Sequence, residues 1–214
     1  MRILLLGFFG YITLIIMSLS SHANDTDQTK FETATLAGGC FWCIETDFEK
    51  LDGVYEALSG YAGGDRPNPS YQNYNKPSGD FKTPHIEVIQ VKYDPAKLSY
   101  KDILEYHVRH IDPTDGGGQF CDRGPGYIPA IFAKDETQRK TAQQVLKETA
   151  NIIGQDTNVK ILDDSPFYAA EDYHQDYSKK SPVRYKFYRW NCGRDQTVAK
   201  VWGKDEPREV PLNE

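Results

Sequence analysis

Apolar and polar positions alternate most clearly over His85–Tyr93. Ile86, Val88 and Gln90 face one way, and Glu87, Ile89 and Val91 face the other. A period of two predicts a strand, which Asp94-Pro95 closes. Shorter β-prone runs occupy Thr33–Ala37, Val54–Tyr61, Ile128–Ala133 and Val159–Leu162. Helical spacing governs Phe41–Leu51, where Ile44, Phe48 and Leu51 recur at i, i+4 and i+7. Ser99 caps a second helix that runs to about His110, and Asp135–Ile153 forms a third, ended by Gly154. Ala169–Tyr177 reads as a short fourth helix. Two long segments rich in turn residues, Gly63–Phe81 and Asp112–Gly126, interrupt the pattern; loops of this length in a compact domain are usually functional or disordered. From Lys179 onward the chain is basic and aromatic and reads as an arm packed over the domain. Strands and helices interleave, which places the chain in the α/β or α+β class. No internal repeat is present.

The first residues follow a different pattern. Arg2 precedes Ile3–Leu19, which carry no charge, and then Ser21-His22-Ala23 supplies a small-x-Ala cleavage site. This is the layout of a secretory signal peptide. It divides the chain into a leader (1–23) and one domain (24–214), with loose termini at about 24–30 and 204–214. The domain is exported and periplasmic on this reading, and touches a membrane only through the leader, as an anchor if the leader stays uncleaved. All four cysteines, Cys40, Cys43, Cys121 and Cys192, remain after cleavage, whereas both methionines, Met1 and Met17, leave with the leader. The 214 residues carry 25 Lys+Arg against 31 Asp+Glu, so nothing suggests a nucleic-acid surface.

The chemistry concentrates at Gly38-Gly39-Cys40-Phe41-Trp42-Cys43, on the predicted junction between the first strand and the first helix. A cysteine at a helix start is stabilised as thiolate by free N–H groups and the helix dipole. The glycines let the backbone turn tightly and let a ligand approach, and the two aromatics can wall a small apolar pocket around sulfur. The residues alone leave three readings open: a Cys-x-x-Cys disulfide exchanger, a four-cysteine zinc site, and a methionine sulfoxide reductase. The zinc reading lacks a second Cys-x₂-Cys knuckle.

Gly39-Cys40-Phe41-Trp42 with Glu45 resembles the signature of the A-type peptide methionine sulfoxide reductases. Further segments resemble that family in order: Asn68-Pro69-Ser70-Tyr71, His85-Ile86-Glu87, Tyr93-Asp94-Pro95, His110-Ile111-Asp112-Pro113-Thr114, Asp122-Arg123-Gly124 with Tyr127, and Glu171-Asp172-Tyr173-His174-Gln175 with Tyr177. The resemblance implies an α+β fold: a two-layer sandwich with a mixed sheet, flanking helices and a long irregular C-terminal segment. It implies reduction of methionine-S-sulfoxide, protein-bound or free, by Cys40 as nucleophile with Glu87 as acid, through a sulfenic acid on Cys40. Phe41 and Trp42 would hold the substrate methyl group, Tyr71 and Tyr127 would bind the sulfoxide oxygen, and Asp122 would orient the site. No metal and no organic cofactor is required. Recycling would pass through an intramolecular disulfide and a thioredoxin-like dithiol reductant, with the protein acting as a monomer.

This sequence departs from the family pattern in four places. Cys43 stands where the family most often has Gly. The stretch from Tyr71 to Glu87 is longer, so Tyr74 competes with Tyr71. Residues 124–129 lack the usual Gln-Tyr-Arg-Ser, and Tyr185 is followed by Lys186 where a recycling cysteine would stand. The thiol that resolves the sulfenic acid is therefore Cys43, one helical turn from Cys40, or Cys192, brought in by a flexible arm, with Cys121 ranked third.

Overall fold

The structure, a computed structural model, describes residues 31–203. The leader 1–23 and the termini 24–30 and 204–214 lie outside the described residues. Along the chain, β1 (Glu32–Ala37) is followed by α1 (Phe41–Phe48), β2 (Val54–Ala62), β3 (Ile86–Tyr93) and α2 (Tyr100–Arg109). The strands β4 (Gly118–Gln119) and β5 (Asp122–Arg123) form a small hairpin, followed by a single 3₁₀ turn (Pro125–Tyr127). Next come β6 (Ala130–Ala133), α3 (Glu136–Ile153), β7 (Lys160–Asp163), β8 (Tyr168–Ala169), α4 (Tyr177–Lys180), α5 (Pro182–Asn191) and α6 (Arg194–Trp202). The main sheet has the order β7-β6-β1-β3-β2-β8; every pairing is antiparallel except β6–β7.

The alternation in β3 decides which groups meet. Ile89, Val91 and Tyr93 point into the main core with Phe41, Ile44 and Phe48 of α1, Ile103 and Leu104 of α2, and Val145 of α3. Ile86 and Val88 point to the opposite face, where a smaller cluster with Ala37, Ala62, Ala130 and Phe132 is covered by Phe167 and Leu162. Because side chains alternate with a period of two, Glu87 must share the face of Ile89 and lie under α1. Helix boundaries follow the capping signals. Ser99 and Asp102 form a reciprocal capping box at α2, and Asp135 accepts the Gln138 N–H at 2.8 Å to open α3. Gly154, at φ 69°, ends α3 in the left-handed conformation.

Two expectations fail locally. Ala169–Tyr177 is not a helix: Ala170 donates its N–H to Ser59 O at 2.9 Å, and the Gln175 side chain brackets the Ser59 backbone from both sides. Pairing with the edge of β2 overrides the helical pattern. The C-terminal segment, expected to be irregular, folds from Tyr177 into α4, α5 and α6, with Tyr185, Arg194, Val198 and Trp202 buried. Among the described residues no helix is long and apolar enough to cross a membrane.

Candidate active site

Cys40 is the N-cap of α1, and its position is set by the glycines before it. Gly39 has φ +81°, and a Cβ there would lie 2.6 Å from Gln119 Cβ. Gln119 is fully buried and holds the loop that follows α2: it accepts the Asp112 N–H at 2.8 Å and donates to Asp112 O at 2.8 Å. The first N–H of α1, on Phe41, has no partner within the helix. Glu87 supplies one, accepting it on Oε2 at 3.1 Å, while Tyr74 donates its hydroxyl to Oε1 at 3.0 Å. The carboxyl from β3 therefore caps the helix that starts at the thiol.

Cys40, Phe41, Trp42, Tyr71, Glu87, Asp122 and Tyr127 line one cavity of about 60 Å³, together with Tyr188 of α5. The sequence-predicted nucleophile, acid and substrate-binding residues are thus brought to one place. Aromatic packing fixes the walls. Trp42 stacks on Tyr177 with ring centroids 3.8 Å apart, and its indole N–H donates to His174 Nδ1 at 3.0 Å. Glu171 accepts the Tyr71 N–H and the Tyr61 hydroxyl, each at 2.9 Å, which ties the loop carrying Tyr71 to the sheet. The question between Tyr71 and Tyr74 resolves by division: Tyr71 lines the cavity, whereas Tyr74 is buried behind it on Glu87.

Sequence reasoning missed Tyr188. Its hydroxyl donates to Asp122 Oδ2, and its ring lines the cavity beside Cys40. The available signal was its spacing: it precedes Cys192 by one helical turn.

Burial pushes the Glu87 carboxyl up to about 8, against the opposing pull of the Phe41 N–H and the Tyr74 hydroxyl. It is therefore mostly protonated near neutral pH. Asp122 is also raised by burial, with the Tyr188 hydrogen bond and Arg194 acting the other way. Burial raises the Cys40 thiol, and the hydrogen bond to Cys43 and the negative charges of Cys43 and Glu87 add to this. Cys43 is pulled down by the hydrogen bond it accepts from Cys40, then by Arg194 and Arg189, against burial. Those guanidinium groups belong to a buried cluster beneath α1. Arg189 reaches Asp47 at 2.9 Å, and Arg194 donates to Gly38 O at 3.2 Å with its guanidinium 4.7 Å from the Phe120 ring centre.

The four cysteines fall into two pairs. Cys40 and Cys43 are free thiols, 6% and 2% exposed. Cys121, on the surface beside Asp122, is disulfide-bonded to Cys192 at the C-cap of α5, with Cα atoms 4.9 Å apart. An intramolecular disulfide of the kind that thiol recycling requires is therefore present. Cys192 sits on a helix end and not on a flexible arm, and its partner is Cys121; the free thiol beside Cys40 is Cys43. A larger cleft, about 320 Å³ around Glu45, Glu49 and Asp176, holds no thiol. There Ser59 and the Asp176 N–H occupy Glu45, and Lys179 bridges the other two.

Residues 32–206 match the family model described as peptide methionine sulfoxide reductase. The chain is 45% identical over 202 residues to peptide methionine sulfoxide reductase MsrA/MsrB of Vibrio cholerae, covering 91% of this chain but only 52% of that longer relative. It is 42% identical to MsrA 2 of Rhizobium meliloti, over 91% of this chain and 93% of the relative. Among solved structures, it resembles reduced Mxr1 of Saccharomyces cerevisiae (TM-score 0.64, 31% identity, 73% of this chain and 88% of that one). It also resembles methionine sulfoxide reductase A of Corynebacterium diphtheriae (TM-score 0.62, 28% identity, 73% and 78%). With a cysteine at a helix start, a buried proton-bearing carboxyl and an aromatic cage in one small cavity, the chain belongs to the peptide methionine sulfoxide reductases, thiol-dependent oxidoreductases that act on methionine sulfoxide.

Proposed function

We propose that Cys40 reduces the S epimer of methionine sulfoxide, in oxidised proteins or free, and that Cys43 resolves the product. The observation that carries this reading is the cavity itself, where Cys40, the protonated Glu87 and the hydroxyls of Tyr71, Tyr127 and Tyr188 converge. Passing the shared proton from Cys40 to Cys43 leaves the cavity-lining sulfur as nucleophile. Cys40 attacks the sulfoxide sulfur; Glu87 gives its proton to the oxygen, and Tyr71 and Tyr127 donate hydrogen bonds to it. Phe41 and Trp42 hold the methyl group. The oxygen leaves on Cys40 as sulfenic acid, and methionine is released. The Cys43 thiol then displaces hydroxide from the sulfenic sulfur, giving a Cys40–Cys43 disulfide and water.

That disulfide is too deeply buried for a protein dithiol to reach. The exposed Cys121 of the outer pair is accessible, and its neighbour Asp122 lines the cavity of Cys40, where Tyr188, one turn before Cys192, hydrogen-bonds it. A thioredoxin-like dithiol would first reduce the Cys121–Cys192 disulfide; the Cys121 and Cys192 thiols would then reduce the Cys40–Cys43 disulfide by thiol–disulfide exchange, reforming the outer disulfide for the reductant to meet again. The uncharged Ile3–Leu19 run and the Ala23 site support export to the periplasm, with membrane contact only through the leader. The test is loss of each epimer of a blocked methionine sulfoxide with excess dithiothreitol, alongside Cys40→Ser. Loss of the S epimer alone, abolished in the variant, is expected. Consumption of neither epimer by the native protein sinks the reading in favour of disulfide exchange.

A further inference from the structure

We propose that Cys121, Asp122 and Cys192, once their disulfide is reduced, form a binding site for a thiophilic divalent cation, typified by zinc(II), at the rim of the catalytic cavity. The inference rests on the reading above only in requiring that the outer pair be reducible.

Three observations place the site. The two sulfurs and one Asp122 carboxylate oxygen all lie within 4.8 Å of one another. Zinc binds thiolate at about 2.3 Å and carboxylate at about 2.0–2.2 Å, so tetrahedral ligand atoms stand roughly 3.5–4 Å apart. Breaking the S–S bond lets the sulfurs separate to that spacing while the carboxylate closes the small remaining gap. Next, the ligands are held by short connections, Cys121 in the tight turn of the β4–β5 hairpin, Asp122 opening β5 and Cys192 at the C-cap of α5. A helix C-terminus favours a cation. Third, the charges sort the two thiol pairs. Cys43 faces the guanidinium groups of Arg189 and Arg194, which favour a thiolate but repel a metal ion. At the outer pair the Asp122 carboxylate lies within 4.8 Å of both sulfurs and offsets the Arg194 charge that also reaches it, and the neighbouring Arg123 is engaged by Asp115.

The chemistry balances. A dithiol reductant gives two electrons and two protons to the Cys121–Cys192 disulfide and is itself oxidised to a disulfide. Zinc then displaces the two thiol protons and binds two thiolates and the Asp122 carboxylate, with its fourth position open to water. The oxidised protein has no thiolate there and does not bind. Metal at this site withdraws Asp122 from Tyr188 and blocks exchange through the outer pair, so it would hold the enzyme idle in the reduced state.

The experiment uses the full chain under anaerobic conditions, reduced with dithiothreitol that is then removed by gel filtration. Zinc(II) is titrated against a chromophoric chelator, and cobalt(II) is titrated separately to read thiolate-to-metal charge-transfer absorption. One tight zinc per reduced chain and none per oxidised chain is expected. Cys121→Ser should abolish binding, and Asp122→Asn should weaken it by at least about tenfold, or about 1.4 kcal/mol. Cys40→Ser with Cys43→Ser should leave it intact. No binding by reduced protein, binding that survives Cys121→Ser, or binding that disappears with the Cys40 and Cys43 substitutions would overturn the site. Failure of dithiothreitol to raise the free thiol count from two to four would overturn both this site and the exchange pathway, while leaving Cys40 chemistry untouched.

Discussion

Replacing Glu87 by Gln separates proton donation from architecture. The amide keeps an oxygen to accept the Phe41 N–H and presents its NH₂ to Tyr74, so the cap on α1 survives. What is lost is a proton that can be transferred. With Glu87 near 8, about 90% of it is protonated at pH 7 and about 10% at pH 9. The native enzyme should therefore lose turnover as pH rises through about 8. General acid catalysis is worth about 10²–10⁴ in rate. Glu87→Gln should fall by that factor in single-turnover formation of methionine at pH 7, and its profile should lack the descending alkaline limb.

The same group makes a second, independent prediction. Its folded-state value lies above the ordinary 4.5 because the charged form is buried. The protonated form favours folding, so this contribution is complete below about pH 4.5, is eroded between there and about 8, and is gone above. Integrated over that window, the loss amounts to about 5 kcal/mol. The neutral amide suffers none of it. Denaturant midpoints at pH 5, 7 and 9 should therefore show Glu87→Gln gaining on the native protein as pH rises. Unchanged single-turnover rates in the variant would remove Glu87 as the acid. A stability difference independent of pH would show that the carboxyl does not titrate in the window its burial demands.

The other substitutions address positions with sharper geometric roles. Cys43→Ser should release one methionine per chain, more slowly than the native protein because the acceptor of the Cys40 proton is gone, then stall with a sulfenic acid on Cys40 that a dimedone-type reagent labels in mass spectrometry; sustained turnover with a protein dithiol would exclude Cys43 as resolver. Cys121→Ser should retain turnover with dithiothreitol but lose it with a thioredoxin-like protein; equal loss with both would place the outer pair in structure alone. That substitution removes a cross-link spanning 71 residues, so thermal unfolding should reveal a stability loss of up to about 4 kcal/mol on the chain-entropy model, matched by reducing the native disulfide. Gly39→Ala should cost about 1–3 kcal/mol and at least tenfold in kcat/KM, because φ +81° is strained for alanine and its Cβ meets Gln119; native-like melting and activity would show that the junction tolerates relaxation.

Much of this site was written in local pattern, and what was not depends on contacts between distant segments. The alternation of His85–Tyr93 sufficed to put Glu87 on the face of Ile89 and Val91, and the helix predicted after Gly38-Gly39 put Cys40 at an N-terminus. That Glu87 serves Cys40 was implied by the family resemblance, and the sheet order that lays β3 under α1 brings the two together. The capping residue Ser99 and the terminator Gly154 worked for the same reason, since each acts within a few residues of itself. Ala169–Tyr177 misled because its hydrogen bonds go to Ser59 on β2, more than a hundred residues away, a partner that no window around it contains. Tyr188 was invisible because its role depends on α5 lying across β5, which only the assembled C-terminal helices and the Cys121–Cys192 link bring about. The pairing of the cysteines was out of reach of local pattern for the same reason. Sequence proximity nominated Cys43 and chain flexibility nominated Cys192, yet α5 is a helix, and a helix end fixed above Cys121 cannot also serve as a roving arm. Held at a helix end, Cys192 forms with Cys121 a preformed pair beside Asp122. Whether its sulfurs are bonded to each other or to a metal then becomes a question of reducing equivalents.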